Sequence, residues 1–109
     1  MPYKSVEQTG FTVYGKRTIN SIVLHATQEI DGVAGLYAKG CRTEFNGLKV
    51  DVDVFINVFD GVKCSEVAYR IQENIKRNVE TMTSYKVGVI NVNIFGVQIR
   101  AKEFEGGSD

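Results

Sequence analysis

Tryptophan is absent, proline and histidine each occur once, and cysteine occurs twice in the 109 residues. Two thiols, Cys41 and Cys64, are too few for a disulfide framework and have no metal-ligand spacing, so a reduced, cytoplasmic protein is expected. Neither sign of charge is in excess. The 13 basic and 13 acidic side chains cancel, which removes the usual electrostatic footprint of a nucleic-acid binder. No apolar run approaches the roughly 20 residues that cross a bilayer. The opening MPYKSVEQTG lacks the apolar stretch of a secretory signal, so export is not expected. Phosphate-binding loops, dinucleotide fingerprints and nucleophile elbows are also missing. What remains is an ordinary globular composition, 43% hydrophobic and 24% charged, at a length that fits one domain. That domain is expected over residues 9–102, between a flexible N-terminus (1–8) and a flexible tail (103–109).

The pattern of apolar residues sets the elements. Thr9–Tyr14 reads as a short extra strand. Ile19, Ile22, Val23, Ala26 and Ile30 make one stripe of an amphipathic helix over 16–30, with Gly15 as N-cap and Asp31-Gly32 as its stop. A short strand over 33–37 and a loop over 38–47 follow, with a turn signal in Asn46-Gly47. Leu48, Val50, Val52, Val54, Ile56 and Val58 then alternate with Lys49, Asp51, Asp53, Phe55, Asn57 and Phe59. A strict period of two predicts a strand with one buried face. A second helix is predicted over 63–83, its stripe running through Cys64, Val67, Ala68, Ile71, Ile75, Val79 and Met82. The last strand, over 85–100, turns Val87, Ile90, Val92 and Ile94 inward, and the slip between Val87 and Ile90 predicts a bulge near Gly88.

The expected architecture is therefore a two-layer α+β domain of order α-β-β-α-β, with both helices on one face of a small mixed sheet. The reverse face is left open. It receives Phe55, Asn57 and Phe59 from the middle strand and Asn91, Asn93 and Phe95 from the last. Each buried Phe gains about 1.5–3 kcal/mol over an exposed one, so three aromatics facing water argue for contact with a partner. The asparagines would give that contact its hydrogen-bonded register. Tyr69, on the outer face of the second helix, and Leu24, off the stripe of the first, are weaker candidates of the same kind.

Catalytic constellations are not evident. His25 has only Gln28 and Glu29 on its side of the helix, too little for general-base work. Asp51 and Asp53 share a strand face but supply too few oxygens for a metal. Cys64 falls in a buried stripe, and Cys41, near Lys39 and Arg42, has a basic setting that would lower its pKa but no acid–base companion. Gly32 to Gly35 spells GxxG, the backbone clamp of KH modules, but Asp31 stands where a basic flank would help. A small RNA-binding, KH-like module is the alternative reading. No enzyme activity, cofactor or metal is expected.

Ordered blocks along the chain carry a resemblance. Glu29-Ile30-Asp31-Gly32-Val33-Ala34-Gly35-Leu36 resembles an E-V-x-G-V-x-G-hydrophobic segment. Gly61–Val67 (GVKCSEV), Ile71–Ile75 (IQENI), Val79–Thr83 (VETMT) and Val89–Val97 (VINVNIFGV) follow in matching order and spacing. These blocks are similar to the alkaline shock protein family, the envelope stress response proteins of Gram-positive bacteria, in a short stand-alone form. The resemblance covers about residues 8–100. It implies an α+β domain without assigned catalytic residues, abundant in the cytoplasm, self-associating as a homo-oligomer or held beneath the membrane by an anchor protein. Ser84 departs from the usual Gly, Cys64 from the usual Ile, and the long charged extensions of larger members are missing.

Overall fold

A computed structural model describes residues 15–99. The expected strand at Thr9–Tyr14, the N-terminus 1–8 and the tail 103–109 lie outside the described residues. Within them the order is α1 (Lys16–Gln28), β1 (Val33–Asn46), β2 (Lys49–Phe59), α2 (Cys64–Met82) and β3 (Lys86–Gln98). The sheet order is β1-β2-β3, antiparallel between β1 and β2 and parallel between β2 and β3. Both helices cover the same side, as expected for a mixed two-layer α+β domain.

The core follows from the two periodicities. Val50, Val52, Val54, Ile56 and Val58 are buried along one face of β2. Ile19, Val23 and Ala26 of α1 and Val67, Ile71, Ile75 and Val79 of α2 close over them. Val87, Ile90, Val92 and Ile94 stand beside Val50, Val52, Val54 and Ile56, so the inward set of β3 is the predicted one. The register slips between Val87 and Ile90, which places the bulge at Gly88. There Asp51 Oδ1 accepts the Val89 N–H at 2.8 Å.

The first strand departs from expectation. Residues 38–46 are strand, not loop, and β1 and β2 form one long hairpin closed at Gly47-Leu48. Gly47 has φ +64 and opens a two-residue turn that suits the twist of its strands. The irregularity that reads as a loop is a wide bulge. Leu36 pairs with Ile56 and Cys41 with Val54, so Tyr37–Gly40 stands opposite Phe55 alone. Two positive φ values, +53 at Ala38 and +87 at Gly40, turn the chain there. Leu24 also departs. It is half-buried against the core, where its Cδ2 would lie 2.7 Å from a Cβ on Gly40.

A buried amide fastens the helices. Asn74 of α2 is 6% exposed and donates to Ala26 O and Glu29 Oε1, both at 2.8 Å. Its Oδ1 accepts from Arg77 at 2.7 Å and from Asn78 at 3.2 Å. Ala26 O is one of the four carbonyls that every helix leaves unpaired at its C-terminus, so α2 caps α1.

The thiols exchange roles relative to the sequence reading. Cys64 is exposed, because the first residue of α2 lies beyond the end of the stripe that Val67 begins. Met82, at the other end of that stripe, is exposed for the same reason. Cys41 is buried on the helix side of β1, and burial pushes its thiol above the usual range while Lys39 opposes the shift. The basic neighbour does not produce a reactive thiolate. One thiol of the native protein is therefore expected to react rapidly with Ellman's reagent and the second only after denaturation. Cys64→Ser should abolish the fast phase; a fast phase surviving that change would contradict the assignment.

Candidate functional site

The face of the sheet turned away from the helices carries a polar end and an aromatic end. At the polar end Arg42 reaches Asp53 Oδ2 at 3.4 Å, and Asn91 donates to Asp53 Oδ1 at 3.0 Å. The Arg42 side chain is exposed, so this ion pair adds little to stability. Asp51 is held by the Val89 N–H. The two carboxylates that share this strand face are thus engaged by their own sheet. Among the described residues no group of three or more His, Cys, Asp or Glu side chains could hold a metal ion.

The aromatic end joins three strands. Tyr37 stacks on Phe95 with centroids 4.3 Å apart and planes 14° apart. Phe55 meets Phe95 at 6.0 Å, tilted by 54°. Offset stacks of this kind add about 0.5–1.5 kcal/mol beyond burial. Tyr37 remains 46% exposed and Phe95 55% exposed, so the cluster still faces solvent. Phe95 owes its position to a second bulge, since Ile94 pairs with Ile56 and Gly96 with Asn57. Gly96 lets Asn57 approach, because a Cβ there would lie 2.8 Å from Asn57 Oδ1.

The residues picked from sequence separate into groups. Phe55 and Phe95 come together, and Asn91 and Asn93 lie on the same face. Their amides are already used within the chain, Asn91 on Asp53 and Asn93 on Val54 O at 3.1 Å. Phe59 is half-buried at the far end of β2, paired with Gln98. Tyr69 belongs elsewhere: it is 62% exposed on α2, on the other side of the sheet. Tyr37 was not legible as a member. Its place depends on the β1 bulge, for which the only advance sign is Gly40 inside an otherwise strand-like stretch.

The other candidates stay apart from this face. His25 is exposed and pairs with Glu29 at 3.3 Å, beside a shallow groove shared with Ile22, Asn78 and Met82. Gly32 has φ +103 in the turn after α1, while Val33 and Gly35 pair with Val58 and Asn57. The GxxG stretch is therefore half consumed by strand pairing. No helix among the described residues is long and apolar enough to cross a membrane.

Comparison with known proteins agrees with this arrangement. A solved variant of the MamM C-terminal domain superposes with a TM-score of 0.63 over 75% of this chain and 98% of that one, at 14% identity. That likeness shows the fold. YqhY of Bacillus subtilis is 36% identical over 96 residues, spanning 73% of this chain and 71% of that protein. YloU of the same organism is 29% identical over 63 residues, 58% of this chain and 52% of YloU, so the chain spans about half of that relative's length. The family model described as ASP23, with a cell envelope-related function, matches residues 36–99, which is more than half of the chain. The match includes β2, α2, β3 and every member of the aromatic cluster, and the chain belongs to the alkaline shock protein (ASP23) family.

Proposed function

We propose that this chain is a non-enzymatic interaction domain of the cytoplasm that serves cell-envelope homeostasis by docking, through its open sheet face, on a membrane-anchored partner. The observation that carries the reading is the Tyr37–Phe55–Phe95 cluster, stacked in place yet facing solvent. Aromatic side chains held rigid before contact lose little entropy on binding and supply large apolar area, which is why they dominate the centres of interfaces. The charged end beside the cluster, with Arg42, Asp51 and Asp53, would form the wetter rim of such a contact.

The test is fractionation of the full chain expressed in its own host. The parent should sediment mainly with membranes, and Phe55→Asp/Phe95→Asp should move to the soluble fraction by at least tenfold. Circular dichroism must show the variant folded. Persistence of the folded variant with membranes, or a parent that never associates with them, would defeat the proposal.

A further inference from the structure

The charges that cancel over the whole chain are sorted between its two ends. One end gathers the start of α1, the tip of the β1–β2 hairpin, the end of α2 and the start of β3. Lys16 lines a groove with Arg42, Thr43, Glu44 and Phe45, and the Phe45 and Tyr85 rings meet at 5.1 Å. The Lys86 N–H donates to Leu48 O at 2.8 Å. Met82 shares a groove with Ser21 and Ile22, which brings the last turn of α2 beside the first turns of α1.

Lys16, Arg17, Lys49 and Lys86 stand exposed at this end, and none of them has an ion-pair partner among the described residues. Lys49 and Lys86 are direct neighbours on β2 and β3, where like charges repel. Nearby carboxylates are mostly taken. Glu80 accepts the Val87 N–H at 2.9 Å and lies 4.0 Å from Lys76, and Asp51 accepts the Val89 N–H. Glu44 is the exposed acid that remains. Two apolar side chains project among the cations: Leu48, in the hairpin turn, is 52% exposed and Met82 is 54% exposed. At the opposite end, where the Phe59 N–H donates to Gly32 O, the balance reverses. Glu29, Asp31, Asp60 and Glu66 outnumber Lys63 and Arg70 there, and Arg70 is committed to Glu66.

From this basic end tipped with apolar side chains, we infer that the chain rests directly on an anionic lipid bilayer through its hairpin tip. Leu48 and Met82 enter the headgroup region, while Lys16, Arg17, Lys49 and Lys86 meet lipid phosphates. Charge complementarity selects the occupant, since anionic lipids attract basic residues held near the membrane surface. Apolar tips ringed by cations are also what an interfacial anchor requires. A nucleic acid would want rings free for stacking, but Phe45 and Tyr85, the described aromatics of this end, pack on each other. The contact is screened by salt and weak by itself. It adds a second, linked attachment to docking through the open face and uses none of the cluster's side chains.

Cosedimentation of the full chain with lipid vesicles, no other protein being present, tests it. The parent should bind vesicles of mixed phosphatidylglycerol and phosphatidylcholine at low salt and bind at least tenfold less to phosphatidylcholine alone. Salt at 1 M, where the Debye length is about 3 Å, should release it. Lys49→Gln/Lys86→Gln and Lys16→Gln/Arg17→Gln, pairs on different elements, should each weaken binding about tenfold. Leu48→Ser should weaken it about threefold and keep the salt dependence. Lys63→Gln/Arg70→Gln, at the other end, and Phe55→Ser/Phe95→Ser, on the open face, should bind as the parent does. A parent that ignores anionic vesicles at low salt would overturn the inference, as would equal binding to neutral ones or lysine variants that bind like the parent. An oligonucleotide that binds the parent more tightly than the vesicles, and loses to the same variants, would reassign this end to nucleic acid.

Discussion

Replacing Gly40 by alanine is expected to destabilise the chain by about 2–5 kcal/mol, read as a lowered urea midpoint with unchanged slope. Two costs combine. A side chain at φ +87 carries backbone strain of roughly 1–2 kcal/mol. A Cβ at this position would also lie 2.7 Å from Leu24 Cδ2 and 3.2 Å from Leu36 Cδ1, and overpacking of that order costs roughly 1–3 kcal/mol. Gly47→Ala separates the two, because Gly47 has φ +64 but nothing within 4 Å of its would-be Cβ. It should lose only the strain. The double variant Gly40→Ala/Leu24→Ala should then be less destabilised than the sum of its single changes, which a double-mutant cycle measures. Equal losses at Gly40 and Gly47 would show that Leu24 does not press on the bulge. The position matters for the open face as well, since the same turn of backbone delivers Tyr37 to Phe95.

Asn74→Leu carries the other large effect, a loss of about 2–3 kcal/mol despite a side chain of similar size and greater hydrophobicity. Leucine would fit the stripe of α2, and a count of buried apolar area alone predicts a gain. The loss arises from what the amide leaves behind: Ala26 O at the end of α1, the Glu29 carboxylate and the donors of Arg77 and Asn78. Ala26 O is the costly one, since Ala26 is 1% exposed and its carbonyl has no easy route to water. Chemical denaturation of Asn74→Leu beside Asn78→Ala checks this. Asn78 is half-buried and bonds only within its own helix, so its removal should cost well under half as much. A neutral or stabilising Asn74→Leu would mean the inter-helix amide contributes nothing.

The sequence discloses the fold where one rule acts alone. In β2 alternation decides everything, and Val50, Val52, Val54, Ile56 and Val58 face the core as read. The slip after Val87 marks its bulge because it interrupts that same alternation. β1 is harder, since its four-residue excursion between Leu36 and Cys41 breaks the period of two, and glycines at 40 and 47 resemble loop punctuation. Only pairing with β2 restores residues 41–46 to the sheet. Helix ends mislead in a related way: periodicity assigns Cys64 and Met82 to the apolar stripe, but both lie in the terminal turns of α2 and are exposed. For the open face, Phe55 and Phe95 are legible as outward residues of neighbouring strands. Tyr37 is not, because its position is a property of the bulge. Asn74 was hidden by its polarity, which a stripe of hydrophobic residues passes over. The ordered blocks around Gly61, Ile71, Val79 and Val89 gave the family directly, and the match over residues 36–99 spans the last four of the five.

The parallel pairing of β2 with β3 fixes an order of events during synthesis. The β1–β2 hairpin closes on a two-residue turn and needs only its own local chain. Val52 and Ile90, in contrast, cannot meet until the whole of α2 has left the ribosome. Through that interval the flank of β2 awaiting β3 is bare, and Lys49, Asp51 and Asp53 are the charged residues along that strand. Until then the two carboxylates that Val89 and Asn91 bind are charges on an unpaired strand, a pattern that discourages edge-to-edge association.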